Sequence, residues 1–497
     1  MIKVVFLISL FGNVVLYAIY HQVFHQLYNM GESDFGSTLL NSDKQLLKFV
    51  TGIPWTSRSI HFCGPINELS VPLTMAKFLG LRIETQMDKA DLIWSYHCKW
   101  NEIKSQLRNI HFDQRLNKIP GSDGIVKKAI LSTRGYPFVP KGFLLPRDEQ
   151  AMNIYLQDNP KKKFLRKSSF HGGVSLYNPN GTSVWDDNEI LVQELVEDLL
   201  LLDGRKFDLT AYVLITSVNP LRVYINKRWL VRMSQVKYLE FESNPWSYST
   251  DSYVVSDHYI TNVEISGPLK TLTKAKFPQI VALKSHMNSL GIDAEAKFQK
   301  VKDIIVELLM ENLPRMREGL RDFPKSGSST FFQLMRWDFL LDSRGDPHLI
   351  EVNGSPYFGC VDSRNIARMN RVFFNALRIL DMVPIGPDHS KRERDFVMPI
   401  DVTVNPEETN QCLESCHSHP QCKLSFPCME AIHFDFLSTV MIENQNMGEY
   451  ERLFPLPVKA NSSTEHLQGS HPHLSSEDLF LRDWFKGKCQ LDKAFCA

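Results

Sequence analysis

Three things are scarce in this chain, and each scarcity removes a class of explanation. There is no surplus of charge: Lys plus Arg and Asp plus Glu number 56 each in 497 residues, so the overall balance points to neither nucleic acid nor an acidic partner. Any such argument must rest on local patches. Internal repeats and long low-complexity tracts are missing, which excludes a solenoid or a repeat array. Cysteine is sparse over the first four hundred residues, where only Cys63, Cys98 and Cys360 occur. What remains, 43% apolar and 23% charged, suits a globular protein with room for two or three domains.

Charge is also absent locally, from Val4 to Tyr20, with Lys3 before it and no basic residue after it until Lys44. Seventeen residues of helix span roughly 25 Å, just short of a hydrocarbon core. No small-x-small cleavage site follows Ala18, which favours a signal anchor over a cleaved signal peptide. The positive-inside rule then places the body of the protein in the lumen. A buried first helix is the competing explanation. The other six cysteines crowd the end: Cys412, Cys416, Cys422, Cys428, Cys489 and Cys496. An even, clustered set behind a hydrophobic leader suggests disulfides, with Cys63 and Cys98 as a further pair. His417 and His419 among the first four keep a zinc site open, although no tight Cys-x-x-Cys occurs. Sequons at Asn180, Asn353 and Asn461 are compatible with a secretory route.

The most informative stretch is TFFQLMRWDFLLDSRGDPHLIEVNGSP, residues 330–356. It predicts a hairpin with strands Phe331–Asp342 and Pro347–Asn353 and a turn at Ser343–Asp346. Symmetric counting sets Asp338 opposite Glu351, and Asn353 shares their face by the period of two. Trp337, Phe339, Leu341, Ile350 and Val352 fall on the core face, leaving the polar side free. Two carboxylates and a carboxamide supply hard oxygen ligands for magnesium. An ordinary solvated edge hairpin is the competing explanation.

Elsewhere, PKKKFLRKSSFHGGVSL (160–176) reads as a basic strand entering a small-residue loop, a place where backbone amides and a lysine can approach phosphates. Pro120-Gly121 marks a turn before a helical pattern at Ile125–Leu131. Asn219-Pro220 marks another turn, between strands. Asp293 caps a helix with Phe298, Val301, Ile305 and Leu308 on one face, ending before Pro314. Asn365–Leu380 reads as a further helix.

Taken in order, QRLNKIPG, LVQELV, DGRKFDLTAYVLITSVNPLRVY and WDFLLDSRGDPHLIEVNGSP resemble the tubulin-tyrosine-ligase-like family over residues 95–385, and GEYERLFP (448–455) resembles its late segment. That resemblance implies an α/β (α+β) ATP-grasp fold with a small N-terminal domain and a cysteine-rich C-terminal tail. The implied organisation is leader 1–24, linker 25–58, small domain 59–141, catalytic region 142–385 and extension 386–497. It also implies an ATP- and magnesium-dependent ligase that adds free glutamate to tubulin tails through an acyl phosphate. The implied partners are therefore microtubules, and a membrane through the leader, but no nucleic acid. Lys128 and Lys167 match lysines on the ATP phosphates. Gln193, Glu194, Leu195 and Val196 match the hinge around adenine. Lys206 and Asp208 match the block bordering nucleotide and amino acid, and Arg232 matches an arginine beside the transferred phosphate. Asp338, Glu351 and Asn353 match the magnesium ligands, with Asp338 also counted at the nucleotide. A patch of Lys161, Lys162, Lys163 and Arg166 offers attraction for an acidic tail.

Departures from the family pattern leave two alternatives. Thr210 stands where the family has an active-site arginine, and a threonine supplies no fixed cation. Ser168 and His171 replace the usual proline and arginine of the phosphate loop. These departures allow a catalytically weak or inactive ATP-binding scaffold. The leader, sequons and cysteines allow a lumenal ligase acting on a non-tubulin acceptor.

Overall fold

Short apolar and β-branched runs form strands here, and longer stretches of helical period pack beside them. The computed structural model describes residues 58–383 except 66–67, 97, 99, 168–173, 178–188, 235–236, 239–278 and 359–362. It also describes residues 402, 412–416, 420–425, 428–455, 471–491 and 495. The leader, the loop after Lys167, two sequons, His417 and His419 lie outside them. Among the described residues no helix is long and apolar enough to cross a membrane.

The chain forms two compact units, each built from discontinuous segments. One unit takes Met1–Gln106, Tyr357–Ala460 and Ser475–Ala497, and the other Leu107–Pro356 and Asn461–Leu474.

The first unit begins with β1 (Ser59–Cys63), α1 (Ser70–Phe78), β2 (Arg82–Ile83) and β3 (Leu92–Ser95). Both β2 and β3 run parallel to β1, so the helix serves as the crossover that parallel strands require. A Cys63–Cys98 disulfide ties the end of β1 to the segment after β3.

The second unit holds two sheets. It opens with β4 (Arg115–Asn117), α2 (Asp123–Val126) and α3 (Lys128–Thr133). The single helix expected over Ile125–Leu131 is thus broken at Lys127, whose backbone is extended (ψ 111°). The smaller sheet comprises β5 (Gly142–Leu145), β6 (Phe164–Lys167), β7 (Val174–Leu176) and β8 (Ile190–Glu194), in the order β5-β8-β6-β7. α4 (Glu149–Asp158) covers it through Met152, which joins Phe143, Leu145, Phe164 and Val192 in one apolar cluster.

The larger sheet contains β9 (Phe207–Val218), β10 (Leu221–Asn226), β11 (Leu230–Met233), β12 (Phe331–Leu341) and β13 (Pro347–Asn353). β12 pairs with β9 along one edge and with β13 and β4 along the other. β12 is therefore interior to the sheet, whereas β13 pairs with β12 alone. α5 (Gln279–Ser289) precedes α6 (Ala294–Leu320), which Asp293 caps by accepting from the Ala296 amide at 3.0 Å. α6 runs through Pro314 instead of ending before it. Proline removes one helical N–H, and the burial of Leu313 and Met316 on either side keeps the later turns docked.

The first unit resumes with α7 (Ser363–Ile379), α8 (Ala431–Gln445), β14 (Tyr450–Phe454) and α9 (Ser476–Leu491). Phe373 of α7 meets buried Trp94 edge-on at 4.7 Å. Cys412–Cys422 and Cys416–Cys428 are disulfides, and Cys489 is disulfide-bonded as well. That pairing removes the zinc alternative, because a sulfur in a disulfide offers no thiolate. Leu437, Val440, Leu481 and Trp484 form the core that these bridges enclose.

Candidate active site

The register of the hairpin decides where its acids point. Leu341 pairs with Pro347 and Phe339 with Leu349, one step short of the symmetric count, but a bulge then sets Asp338 opposite Glu351 as expected. Ile350 is the additional residue. It leaves the core face expected for it and joins Leu340 in a cluster with Leu165, Leu195 and Leu199. Trp337, Phe339, Leu341 and Val352 are buried as expected. The polar face is not free, however, since Asp338 is only 3% exposed.

Neighbouring strands deliver the remaining groups. β9 places Thr210 opposite Asp338, and β11 places Arg232 opposite Asp208. The Thr210 hydroxyl donates to Asp338 Oδ1 at 2.6 Å, and Arg232 Nη2 reaches that same oxygen at 3.2 Å. Arg232 also touches Asp208 Oδ2 at 3.3 Å, while Lys206 Nζ lies 2.6 Å from Asp208 Oδ1. From the start of α3, Lys128 Nζ donates to Glu351 Oε2 at 2.6 Å. Asn353 donates to Glu351 Oε1 at 3.0 Å, so a sequon by its pattern is committed to an internal contact.

Two strands of the smaller sheet contribute the rest. Lys167 Nζ donates to Gln193 Oε1 at 2.6 Å, and Gln193 Nε2 is anchored by the Ser132 hydroxyl at 3.0 Å and the Pro140 carbonyl at 2.9 Å. Gln193 is thus the strut that aims Lys167. The Glu194 carboxylate accepts from Tyr155 of α4 and pairs with Lys162, which ties α4 to the sheet. Leu195 is buried in the cluster with Ile350 and Leu340, and Val196 packs against it. These two form an apolar wall beside the charged group.

Electrostatics follow from this crowding. Burial pushes the Lys167 ammonium down to about 8, with Lys128 and Lys206 adding to the effect. Burial alone would raise the Glu351 carboxyl, but Lys128 and Arg336 outweigh it and hold the acid well below the usual carboxylate range. Arg336 is the residue that sequence reasoning missed. Its Nη2 lies 2.9 Å from Asp338 Oδ2 and 3.4 Å from Glu351 Oε1, bridging the two facing acids. The signal was available, since Arg336 precedes Asp338 by two and shares its face.

The donor set fits a hard divalent ion, with an amide as its third member. Among the described residues no three His, Cys, Asp or Glu side chains gather to hold a metal. Asp338 and Glu351 converge with Asn353, whose amide offers its oxygen after a half-turn about its last bond.

Comparison with known proteins agrees with this geometry. The profile of the tubulin-tyrosine ligase family matches residues 85–392. The chain is 26% identical over 493 residues to a protein named "Probable tubulin polyglutamylase ttll-15" from Caenorhabditis elegans, covering 94% of this chain and 90% of that one. It is 27% identical over 403 residues to human "Tubulin polyglutamylase TTLL7", covering 75% of this chain and 44% of that one. Over 282 residues it is 27% identical to mouse "Tubulin monoglutamylase TTLL4", spanning 53% of this chain and 23% of that one.

Proposed function

The chain belongs to the tubulin-tyrosine ligase family, and on that premise we propose that it is an ATP- and magnesium-dependent ligase that joins glutamate to a glutamate side chain of tubulin. One observation carries the reading: Lys128, Lys167, Lys206 and Arg232 gather around Asp208, Asp338 and Glu351 between two sheets. Such a group suits a triphosphate, whose charge a ligase must neutralise during transfer. Magnesium held by Asp338, Glu351 and Asn353 would supply charge neutralisation at the transferring phosphoryl group.

The chain's own residues do the rest. Lys128 and Lys167 reach the phosphates, with Gln193 fixing the second lysine. Glu194 and the backbone groups of Leu195 and Val196 border the adenine ring. Arg232, tied to both Asp208 and Asp338, is held rigid next to the transferred group, and Lys206 with Asp208 borders the incoming amino acid. An acceptor carboxylate oxygen takes the terminal phosphoryl group of ATP, releasing ADP. The amine of glutamate then attacks the acyl carbon, loses a proton and releases phosphate.

The test is incorporation of labelled glutamate into microtubules by the protein with ATP and magnesium, beside the Glu351→Gln variant. Incorporation that requires both ATP and Glu351 is expected, and none from the natural protein would overturn the reading.

A second reading has its own support. The disulfides Cys63–Cys98, Cys412–Cys422 and Cys416–Cys428 suit an oxidising compartment, whereas tubulin faces the cytosol. On this reading the leader tethers a lumenal ligase whose acceptor is another acidic protein. Protection of the body from protease in sealed membranes would favour it, and digestion would remove it.

A further inference from the structure

Position 210 carries a hydroxyl, and that hydroxyl is committed to Asp338 at 2.6 Å with no residual exposure of the residue. No cation comes from that place on β9. A guanidinium nevertheless stands beside the same acid, delivered by the next strand. Arg336 pairs across the ladder with Tyr212, two residues from Thr210, and its side chain runs along the site face to Asp338 and Glu351.

Three observations separate this arginine from an ordinary structural ion pair. Its guanidinium is shared by two carboxylates, with a contact to Glu351 of 3.4 Å that is long for a charge-assisted bond. Its side chain keeps 18% exposure where that of Asp338 keeps 4%, so it is the less enclosed member of the pair. Among the described residues the group holds five cations, Lys128, Lys167, Lys206, Arg232 and Arg336, against three carboxylates, a balance that suits an incoming anion.

We propose that Arg336 is the binding residue for the acceptor's side-chain carboxylate, supplying from β12 the planar fork that position 210 lacks. This rests on the ligase reading for its context, but it makes a claim about binding that stands apart from turnover. A guanidinium offers two parallel N–H donors to a carboxylate, a match that an ammonium does not reproduce. The acceptor carboxylate is thereby held on the side of Asp338 and Glu351, next to Arg232.

The experiment measures calorimetric binding of a hexaglutamate peptide to the full chain saturated with a non-hydrolysable ATP analogue and magnesium, together with affinity for the analogue alone. Arg336→Ala is expected to weaken peptide binding at least tenfold while analogue affinity stays within threefold. Arg336→Lys should be nearly as poor, because charge without the fork does not suffice. Adding Thr210→Arg to Arg336→Ala should recover most of the loss by returning a guanidinium to the same acids from β9.

Unchanged peptide binding in Arg336→Ala would overturn the proposal. So would a parallel fall in analogue affinity, full function in Arg336→Lys, or a natural protein that binds no hexaglutamate. Labelled-glutamate incorporation is read separately: peptide binding that depends on Arg336 without incorporation would sink the ligase reading and leave the carboxylate site standing.

Discussion

The two ends of one hairpin carry nearly the same chemistry and put it to opposite use. At the sheet end, Asp338 and Glu351 meet Lys128, Arg232 and Arg336. At the turn end, Asp342 and Asp346 meet Lys297, Lys300, Arg344 and His348. The difference is water. Asp338 is flanked by β9 and β13 and closed over by Thr210 and two guanidinium groups, so little water reaches it. Lys300 and Arg344, at the other end, keep half or more of their side chains exposed, and solvent screens their pairing with the acids. The same residue types form a water-poor charged cluster in one setting and tie a turn to α6 in the other.

Removing one charge from the buried end should break the comparison most sharply. Glu351→Gln keeps the volume but leaves Lys128 facing a neutral amide, and glutamate incorporation should fall at least about a hundredfold with little change in melting temperature. An unchanged rate would remove Glu351 from the site.

The next largest effect is expected at Lys167. Lys167→Ala should weaken ATP binding about tenfold, as expected for a lost phosphate contact. Its ammonium titrates near 8, below the ordinary lysine value, so it is charged at neutral pH and loses its proton as pH rises through 8. ATP affinity of the natural protein should therefore decline between pH 7.5 and 9, while Lys167→Arg, which stays charged, should show a flat profile. A flat profile in the natural protein would place Lys167 away from the phosphates.

At the turn end the effects should be on stability alone. Gly345 sits at φ 77°, and an added Cβ would stand 2.8 Å from Ile292 Cγ2. Gly345→Ala should cost about 1–2 kcal/mol in denaturant unfolding and leave turnover intact.

Asp346 provides the smallest effect. Hydrogen bonding from Lys300, opposed by burial and aided by Lys297, holds its carboxyl near 2, below the unfolded value of 3.8. Its contribution is thus present above the unfolded value and lost as pH falls from about 4 through 2. Solvent screening keeps it below about 1 kcal/mol, and Asp346→Asn should remove that acid dependence without altering activity. A loss of turnover comparable to that of Glu351→Gln would erase the distinction between the two ends.

Much of the site was legible because a strand's period of two is rigid. Asp338, Glu351 and Asn353 could be placed on one face from alternation alone, and the Asp293 cap could be read from its position before an apolar helix. The bulge at Ile350 could not be read, since one additional residue is absorbed locally and signalled by no single side chain. The partners of Glu194 could not be read either, because Tyr155 and Lys162 come from α4 and from the loop before β6. Pro314 reads as a helix stop by local rules, yet tertiary burial of its neighbours overrides the loss of one hydrogen bond.

The sequence by itself determined the local geometry: which faces of β12 and β13 are polar, where the turn lies, which ordered segments mark the family, and that cysteines cluster late in the chain. Tertiary structure alone decided the environment of those groups. It put β9 and β13 on either side of β12, brought Lys128 onto Glu351 and Lys167 onto Gln193, and set Arg336 where Thr210 offers no charge. Alternation is a property of neighbouring residues, whereas burial and the sharing of one carboxylate by several cations depend on segments distant in sequence. A single strand can predict which way its acids point, and only the assembled sheets determine what those acids meet.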